Sequence, residues 1–286
     1  MYKLLVIAIL LTSCAVSPSS AAQQFSPSIT QDKADEGFAS WLAAYKKRAL
    51  RSGISEQTIN DSITISKPIA KVIALDKKQP EHKLTMEEYM ANVINNARIE
   101  KGRQLMQDNA EVLADVSQRF GVEPEFIVAL WGMETSYGKN TGGFGIVNAL
   151  ATLAYEGRRR EFFESELTSA LLIIEQGHIS ASEMKGSWAG AMGQCQFMPS
   201  SYLAYAIDYN QDGKTDIWNS KKDVLASIAN YLYTVGWSKD TETKRLALMH
   251  WNRSKYFVAS VFKLAEEIKD EKSINLSSPF YPLPLR

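Results

Sequence analysis

Residues 126–138 read FIVALWGMETSYG, and this stretch decides the fold that the sequence predicts. Pro124 lies just before it. Proline suits the first turn of a helix, because its φ is already helical and its missing N–H would be unpaired there in any case. Side chains then recur at spacings of three and four residues, which places them on one helical face: Ile127, Leu130, Trp131 and Glu134. The stretch is therefore predicted to be a helix whose apolar face ends in a carboxylate.

Glu134 admits two interpretations. Burial disfavours the charged form of a carboxyl group, so a Glu on an apolar face should have a raised pKa and keep its proton near neutral pH. Such an acid can protonate a leaving oxygen, which is the step that cleavage of a glycosidic bond requires. Alternatively, the side chain turns to solvent at the helix end or pairs with an arginine. The stretch by itself favours this structural alternative, since structural carboxylates far outnumber catalytic ones.

The composition limits the classes of protein to consider. The chain has 286 residues, of which 45% are hydrophobic, enough for one large domain or two small ones. The 32 basic and 32 acidic residues balance, and no long Lys/Arg-rich run is present, so the charge gives no reason to expect a nucleic-acid partner. Tyr and Trp are plentiful and suit stacking on carbohydrate, although most are expected in the core.

The N-terminus has the features of an export signal. Lys3 precedes the apolar run Leu4–Leu11, which is too short to cross a membrane as a permanent helix. The sequence LTSC at residues 11–14 closes the run and resembles a bacterial lipobox, in which Cys14 becomes the lipidated first residue. Ala15 follows instead of the Asp that would suggest inner-membrane retention, so an outer-membrane anchor is expected. Alternatively, cleavage near residues 19–22 removes Cys14 altogether.

The chain is accordingly divided into four parts. These are a signal peptide with the start of a tether at 1–21, a Ser/Ala/Gln-rich tether at 22–34, a folded domain at 35–270 and an extended tail at 271–286. Cys195 is the only other cysteine, so an exported chain with this single mature thiol forms no internal disulfide. The three histidines are scattered and offer no zinc site.

Helical spacing recurs along most of the domain and predicts a mainly α fold. Helices are predicted over 38–51, from Ser55, and over 85–96, 98–120, 148–154, 160–174, 200–207, 224–235, 243–248 and 256–268. The Gly-rich segment 138–145 is predicted to form the lip of a cleft instead. Neither internal repeats nor βαβ alternation is visible in the sequence.

A second unusual run, GAMGQCQFMPS at residues 190–200, combines glycines with two glutamines. Gln side chains both donate and accept hydrogen bonds, as sugar hydroxyls and acetamides require. Phe197 and Met198 add apolar surface, and the glycines, with Gly186 before them, would let the backbone approach a ligand closely. By composition alone, the run could equally form a tight contact between helices.

Residues 208–216, DYNQDGKTD, match the first part of an EF-hand loop. Carboxylate or amide oxygens occupy positions 1, 3, 5 and 9 and glycine occupies position 6, a pattern that suits Ca²⁺. Position 12 departs from the pattern, because it is Asn219 and not a bidentate Glu, and Asp223 is the candidate substitute. Such a site would brace the loop and take no part in catalysis. The alternative is a solvated polar turn.

Taken together, these stretches resemble the lytic murein transglycosylase B family, bacterial enzymes that cut peptidoglycan on a lysozyme-like fold. The similarity extends from about residue 38 to residue 268. The matching runs occur in order: RIEKGR at 98–103, WGMETSYG at 131–138, ALATLAY at 149–155 with Arg158 and Arg159, KGSWAGAMG at 185–193, QFMPS at 196–200, the EF-hand-like loop, IWNS at 217–220, ANY at 229–231 and WNRS at 251–254.

The resemblance implies a mainly α catalytic domain at 35–270, with a core like goose-type lysozyme, added N-terminal helices and the EF-hand-like metal loop. It implies that Glu134 is the sole catalytic acid/base. Glu134 would protonate the oxygen between N-acetylmuramic acid (MurNAc) and N-acetylglucosamine (GlcNAc), and then accept the proton of the muramyl O6 hydroxyl as a 1,6-anhydro ring closes. A neighbouring acetamide can stabilise the cationic centre in place of a second carboxylate. No cofactor is implied for the chemistry, and Ca²⁺ is implied as a structural ion.

The resemblance also implies binding residues and partners. Ser187, Gln196 and Tyr231 belong to the saccharide cleft, with Thr135 and Phe197 as further substrate-binding candidates, and core packing is the alternative for Tyr231. The implied metal ligands are Asp208, Asn210, Asp212, Lys214 through its carbonyl, Asp216 and Asp223. The expected partners are peptidoglycan strands and an outer-membrane lipid anchor at Cys14. We expect a periplasmic monomer that can join complexes for cell-wall synthesis or hydrolysis.

Three residues depart from the family pattern. Thr135 stands where Ser is usual and keeps a hydroxyl, and Cys195 lies where a small hydroxyl residue or Gly is usual. Trp251 replaces a Tyr that related chains often carry, so one hydroxyl of the cleft is expected to be missing. Two other functions stay open, namely a hydrolytic muramidase and a catalytically weak wall-binding lipoprotein. A pure binding protein has no need of a desolvated acid, which argues against the second.

Overall fold

The computed structural model describes residues 31–78 and 84–269, with side chains from residue 37 onwards. The described residues are mainly helical, as predicted, with two short strands, β1 Phe144–Gly145 and β2 Lys185–Gly186. The helices in chain order are α1 Gln31–Arg51, α2 Glu56–Ser62, α3 Ala70–Lys77, α4 Met86–Val93, α5 Asn96–Asp108, α6 Ala110–Phe120, α7 Pro124–Thr135, α8 Ile146–Glu156, α9 Arg160–Glu175, α10 Pro199–Tyr205, α11 Lys221–Thr234, α12 Thr241–Trp251 and α13 Lys255–Lys269.

Helix α7 lies at the centre of the domain. It begins at Pro124, as predicted, and every residue from Phe126 to Met133 is buried. Helices α5, α6, α11 and α13 pack around it. Its N-terminal end is fixed by Glu123, whose carboxylate accepts hydrogen bonds from Trp237 Nε1 (2.9 Å) and from Lys244 Nζ. Because neighbours surround the helix, its apolar surface extends all round instead of forming the single face that the spacing predicted.

The N-terminal helices are attached to the helices that form one wall of the cleft. Helix α8 packs against α1, α3 and α9, and α9 also contacts α2 and α10. The Phe38 ring in α1 lies edge-on to the Tyr155 ring in α8, with centroids 5.2 Å apart. Arg158 pairs with the buried carboxylate of Asp76 at 2.5 Å, which joins the start of α9 to α3. The predicted addition of N-terminal helices to the core is consistent with this arrangement.

Glycines let the loops around the two strands approach one another. Strands β1 and β2 pair antiparallel, with Phe144 opposite Gly186. A Cβ on Gly142, whose φ is 94°, would lie 2.1 Å from the Gly186 carbonyl oxygen. A Cβ on Gly186 would lie 2.0 Å from the Ala191 carbonyl oxygen. At Gly186, therefore, glycine is required by contacts within the protein, and not by the close approach to a ligand that the sequence suggested.

Two predicted boundaries are wrong. Residues 98–120 do not form one helix, because α5 and α6 are separated at Asn109. The Asn109 side chain donates a hydrogen bond to the Leu105 carbonyl (2.7 Å), and such bonds compete with continuation of a helix. Helix α1 begins at Gln31, within the segment 22–34 that was predicted as a tether.

Some predictions concern residues that the structure does not describe. These are the signal peptide, Cys14, the tether up to residue 30 and the tail at 271–286. Across residues 31–78 and 84–269, none of the helices combines the length and the apolar character needed to cross a membrane.

Candidate active site

Glu134 is the penultimate residue of α7, and the turn that follows determines where its side chain lies. Ser136 and Tyr137 have φ values of 51° and 62°, and Gly138 has 82°, so three successive residues are left-handed. For a residue with a side chain this conformation costs about 1–2 kcal/mol. Helix α5 offsets the cost, because Arg98 Nη2 donates to Ser136 Oγ (2.8 Å) and Tyr137 Oη donates to the Arg98 carbonyl (2.8 Å).

Two glycines make room for the ring of Tyr137. A Cβ on Gly132 would lie 2.6 Å from Tyr137 Cζ, and a Cβ on Gly102 would lie 2.6 Å from Tyr137 Oη. Real Cβ atoms do not come this close to other atoms, so both positions accept only glycine without a shift of the ring. These contacts explain the glycines of the WGMETSYG and RIEKGR runs by packing.

Gln194 connects α7 to the segment that follows the EF-hand-like loop. Its Oε1 accepts a hydrogen bond from Trp131 Nε1 (3.0 Å), and its Nε2 donates to the Trp218 carbonyl (2.8 Å). Its own carbonyl accepts from Thr135 Oγ1 (2.7 Å), and its backbone N–H donates to the Ile217 carbonyl (2.8 Å). This buried residue therefore ties the end of α7 to the start of the run IWNS.

Glu134 is partly exposed as a residue, and its carboxyl group accepts a hydrogen bond from a distant part of the chain. Trp251 Nε1 donates a hydrogen bond to Glu134 Oε1 (2.8 Å). Burial raises the pKa of Glu134 from 4.5 to about 7, although the hydrogen bond from Trp251 favours the charged form and lowers it. At neutral pH the side chain is therefore close to half protonated and can act as an acid or as a base.

Glu134 borders a cavity of about 780 Å³. The predicted lip of the cleft lines it from Lys139 to Phe144, and α9 contributes Phe162, Phe163 and Glu166. Met133 and Arg159 also border it, and the other lining residues come from later in the chain: Ser187, Trp188, Ala189, Ala191, Gln196, Phe197, Met198, Ser200, Ser201, Tyr231, His250, Trp251, Asn252 and Arg253. The cavity thus combines aromatic surface with amide and hydroxyl groups, a composition suited to sugars.

Comparison with known protein families identifies the family to which this chain belongs. The sequence pattern described as "Transglycosylase SLT domain" matches residues 37–246, which include α7 and most of the cavity wall. The chain belongs to the transglycosylase SLT domain family.

Two relatives show how far the similarity extends. The chain is 38% identical over 160 residues to membrane-bound lytic murein transglycosylase B of Escherichia coli K12; the alignment spans 56% of this chain and 44% of that relative, less than half its length. The crystal structure of SltB3 from Pseudomonas aeruginosa in complex with NAG-NAM-pentapeptide superimposes with a TM-score of 0.78 at 31% identity, over 87% of this chain and 84% of that one. SltB3 has also been solved with NAG-anhNAM-pentapeptide.

A more distant structure adds evidence on the fold. Lytic transglycosylase Slt35 of Escherichia coli, solved in complex with calcium, has a TM-score of 0.72 at 24% identity and covers 79% of this chain and 92% of its own. At this level of identity the likeness concerns the fold alone. Together these structures confirm the predicted lysozyme-like fold of the lytic transglycosylases.

The transglycosylase SLT domain brings together most of the residues predicted for the site. Ser187, Gln196, Phe197 and Tyr231 all line the cavity beside Glu134. The Gln196 side chain donates from Nε2 to the Thr141 and Gly193 carbonyls (3.1 and 3.0 Å), which fixes its orientation. Tyr231 is 6% exposed and donates to the His250 carbonyl (3.2 Å), so it is packed and lines the cavity at the same time.

Thr135 is the one substrate-binding candidate that does not line the cavity. Its side chain is 1% exposed. Its hydroxyl donates to the Gln194 carbonyl and accepts from Gly138 N–H (2.8 Å). The hydroxyl thus uses its donor and an acceptor position in hydrogen bonds that stabilise the turn after α7. We therefore infer that Thr135 helps to hold Glu134 in position and does not contact a ligand.

Two residues near Glu134 were not among the predicted site residues. In the sequence, Trp251 stands out only as a departure that removes a hydroxyl, yet it supplies the hydrogen bond to Glu134. Tyr89, in α4, lies close enough that the charge of Glu134 contributes to raising its pKa, and within the described part of the chain its buried Oη has no hydrogen-bond partner. The sequence around Trp251 or Tyr89 does not show that either residue lies near Glu134. Both residues are far from α7 along the chain, and only folding brings them close to it.

The EF-hand-like loop is ordered by its own backbone. Asp208 accepts from Asp212 and Gly213 N–H (3.2 and 2.8 Å), and Asp212 accepts from Lys214 N–H (2.9 Å). Asp216 accepts from the Trp218 and Asn219 N–H groups (2.9 and 2.8 Å). Asp223 accepts from the Tyr209 and Asp216 N–H groups (3.0 and 2.9 Å). Gly213 has φ 88°, as a turn at this position requires.

The predicted ligands do not form a preassembled metal site. Among the residues described, no three Asp, Glu, His or Cys side chains are grouped so that they could hold a metal ion. The loop carboxylates instead accept hydrogen bonds from backbone amides of the loop. The donor types still match Ca²⁺, so the assignment of the loop to this ion stays a prediction.

Proposed function

We propose that this transglycosylase SLT domain cleaves the β-1,4 bond between MurNAc and GlcNAc in peptidoglycan and forms a 1,6-anhydromuramic acid end. The proposal rests on one observation: Glu134, whose carboxyl group has a pKa of about 7, borders a cavity large enough for a saccharide. The lytic transglycosylases to which the chain is similar support the same reaction class.

In the proposed reaction Glu134 acts twice. Its acid form gives a proton to the glycosidic oxygen as the bond between that oxygen and C1 of MurNAc breaks. The resulting carboxylate then accepts the proton of the O6 hydroxyl while O6 bonds to C1. A pKa near neutrality suits both steps, because each protonation state is populated at working pH.

Glu166 is not positioned for a nucleophilic role. It is the other carboxylate among the described residues that line the cavity, and it is 4% exposed. Its two oxygens accept from the Ser200 N–H (2.9 Å) and the Ser200 hydroxyl (2.6 Å) at the start of α10. A carboxylate occupied in this way supports a reaction in which the substrate's own acetamide assists, as in glycosidases that lack a second catalytic carboxylate.

We also propose that Ser187, Gln196, Phe197 and Tyr231 contact the glycan. Ser187 Oγ accepts from the Ala191 N–H (3.0 Å), so its own proton remains available to a sugar oxygen. The side-chain oxygen of Gln196, Oε1, can accept a hydrogen bond from a sugar hydroxyl or an acetamide N–H, because the hydrogen bonds that orient the side chain use Nε2. Phe197 and Tyr231 offer ring surface.

The loop at 208–216 is proposed to bind Ca²⁺ as a structural ion, with Asp208, Asn210, Asp212, the Lys214 carbonyl, Asp216 and Asp223 as donors. Position 12 is Asn219 and not a bidentate Glu, so a weak site is expected. Calorimetric titration with CaCl₂ and thermal unfolding with and without Ca²⁺ test this, since an ion bound only by the folded chain raises Tm. Asp212→Asn should reduce the rise, whereas the exposed Asp61→Asn should leave it unchanged. An equal Tm with and without Ca²⁺ would mean that the loop is a polar turn.

We further propose that Cys14 carries a lipid that anchors the chain at the outer membrane, facing the periplasm. The proposal is supported by the lipobox-like run and by the membrane-bound name of the E. coli relative. Cys14→Ser should move the protein from the membrane fraction to the soluble periplasmic fraction. Unchanged fractionation of the variant would contradict a lipid anchor.

The reaction is tested by mass spectrometry of the muropeptides released from purified murein. The chain lacking residues 1–21 is compared with its Glu134→Gln variant, and Glu161→Gln, an exposed site on α9, is the matched control. Anhydro ends from the parent and the control, with none from Glu134→Gln, are expected. Reducing ends would indicate a muramidase, and bound glycan without products would indicate a wall-binding protein.

A further inference from the structure

Trp251 brings an indole N–H to the carboxyl group of Glu134 from the end of α12. The Nε1–Oε1 distance is 2.8 Å, and the two residues are 117 positions apart in the sequence. An indole N–H is a donor only. Trp251 can therefore donate a hydrogen bond to Glu134 but cannot accept one from it.

The packing of the Trp251 ring fixes the direction of this N–H. Its ring centroid lies 4.6 Å from that of Tyr231, with the two rings inclined at 62°, and 5.4 Å from that of Phe197. The next residue, Asn252, is buried and its N–H donates to the Leu248 carbonyl (2.8 Å), which closes α12. The donor is thus held in place by aromatic contacts and the helix end, independently of the charge of Glu134.

We propose that Trp251 is a positioning residue that keeps Oε1 of Glu134 as a hydrogen-bond acceptor, so that the acid proton is carried by Oε2. In a protonated carboxyl group the carbonyl oxygen is the better acceptor, and the hydroxyl oxygen is the donor. A fixed donor at Oε1 selects the arrangement with the hydroxyl at Oε2. The effect of this arrangement on the reaction rests on the proposed function, whereas the hydrogen bond itself does not.

The consequence is that one oxygen handles both proton transfers. Oε2 gives its proton to the glycosidic oxygen as the C1–O bond breaks. Between the steps the carboxylate bears a full charge, and the Trp251 N–H stabilises it at Oε1. When O6 bonds to C1, the O6 proton returns to Oε2 and restores the starting state. A Tyr at this position could itself exchange a proton with Glu134, and Trp251 cannot.

Several titratable or charged groups lie near Glu134, and those that feel its charge most directly are neutral. Tyr89 from α4, Tyr231 from α11 and Cys195 from the loop before α10 each feel its charge, and burial raises the pKa of all three. From α5, Arg98 is bonded to Ser136 Oγ and not to the carboxyl group. The charged or titratable residues that line the cavity are Lys139, Arg159, Glu166, His250 and Arg253. Because these residues also carry or exchange protons, the test must observe Glu134 directly.

The test replaces the Trp251 N–H without changing the ring shape. Benzothienylalanine, in which sulfur replaces the indole N–H, is introduced at position 251, and Trp251→Phe is a second variant. The protein is labelled with [5-¹³C]glutamate, and the Glu134 carboxyl signal is assigned by its absence in Glu134→Gln. We expect the titration midpoint of Glu134 to rise by about one pH unit in both variants, because a hydrogen bond to a charged group contributes about 1.5 kcal/mol or more.

Trp218 provides the matched control. Its buried Nε1 has no hydrogen-bond partner within the described residues. Benzothienylalanine at position 218 makes the same chemical change in another indole and should leave the Glu134 midpoint where it is. A rise of the same size at both positions would overturn the assignment, since it would then reflect a general effect of the substitution.

Two further readouts test the position of the proton and the link to the reaction. The ¹H–¹⁵N signal of the Trp251 indole should stay at a hydrogen-bonded shift below and above the Glu134 midpoint. A shift typical of a free indole below the midpoint would mean that the proton sits on Oε1, and would overturn the proposal. In the Trp251 variants, the pH above which kcat/KM declines should rise together with the Glu134 midpoint. Loss of packing alone would lower kcat/KM without changing that pH.

The outcomes separate this inference from the proposed function. The titration is measured on the chain without substrate, so a raised midpoint supports the role of Trp251 even if no anhydro product is formed. Conversely, an unchanged midpoint refutes the role of Trp251 even if the chain forms anhydro ends in a reaction that depends on Glu134.

Discussion

Replacing the candidate acid should make the domain more stable at alkaline pH. In Glu134→Gln the carboxamide oxygen can still accept the hydrogen bond from Trp251, but the side chain no longer ionises. In the parent protein burial raises the pKa of Glu134 from 4.5 to about 7, so the folded state resists an ionisation that the unfolded chain undergoes freely. Above pH 7 the native protein therefore carries a buried charge that the variant lacks.

The size and the pH range of the effect follow from linkage. Below about pH 4.5 both states are protonated and Glu134 contributes nothing to the difference between the proteins. Between pH 4.5 and 7 the unfolded state loses its proton while the folded state keeps it, so the free energy of unfolding of the parent falls relative to that of the variant. The full pKa difference corresponds to about 3 kcal/mol. Because the residue borders an open cavity and is partly exposed, we expect about 2 kcal/mol.

Urea unfolding between pH 4 and 9 measures this difference. The free energies of unfolding of the parent and of Glu134→Gln should coincide near pH 4, diverge between pH 4.5 and 7, and differ by a constant amount above pH 7.5. Glu161→Gln, at an exposed site, should follow the parent to within about 1 kcal/mol at every pH. A difference that does not change with pH, or a variant that is less stable at pH 8.5, would refute the argument that Glu134 is desolvated in the folded state.

Three other predictions concern activity and packing around Glu134. Since cleavage begins with the protonated acid, kcat/KM should fall about tenfold for each pH unit above about 7, and a rate that still rises at pH 9 would exclude Glu134 as the acid. Gly132→Ala should lower the free energy of unfolding by about 1–3 kcal/mol, because its Cβ meets the Tyr137 ring, whereas Gly145→Ala, whose Cβ meets nothing within 4 Å, should have little effect in the same urea assay. Thr135→Val should cost about 2 kcal/mol in stability and leave KM nearly unchanged, because the hydroxyl is buried and bonded within the protein; a large rise in KM at unchanged stability would instead indicate contact with the glycan.

Much of the helical architecture could be predicted because its signals are local. Pro124 and Gly121 mark the start of α7 and the end of α6, and Gly121 is left-handed with φ 66°. The break between α5 and α6 was missed, since the apolar spacing continues through Asn109 and only the side-chain bond to Leu105 interrupts the helix. Boundaries of this kind depend on which hydrogen bond a polar side chain adopts, and spacing does not record that choice.

The residues of the candidate site could also be predicted only in part. Four of the five predicted substrate-binding residues line one cavity, and their contact with the glycan stays a prediction. Thr135 differs, because its neighbour Glu134 faces the cavity while its own hydroxyl turns into the protein. Adjacent positions at a helix end point in different directions, so membership of a motif does not determine which side chain meets the ligand.

The sequence by itself determined the helical class, the central helix with Glu134 near its end and the acidic loop, because these depend on residue types at short, regular spacings. It also indicated the family, through the ordered series of runs that resemble it. Only the tertiary structure decided what surrounds Glu134. It brings the Trp251 N–H to a carboxyl group 117 residues away and, by burying that group, raises its pKa to about 7. It also turns the loop carboxylates toward the backbone amides of their own loop. The apolar spacing left two interpretations of Glu134 open, and the folded structure decided for the desolvated carboxyl group, because the residues that cover it and donate to it meet only when the chain is folded.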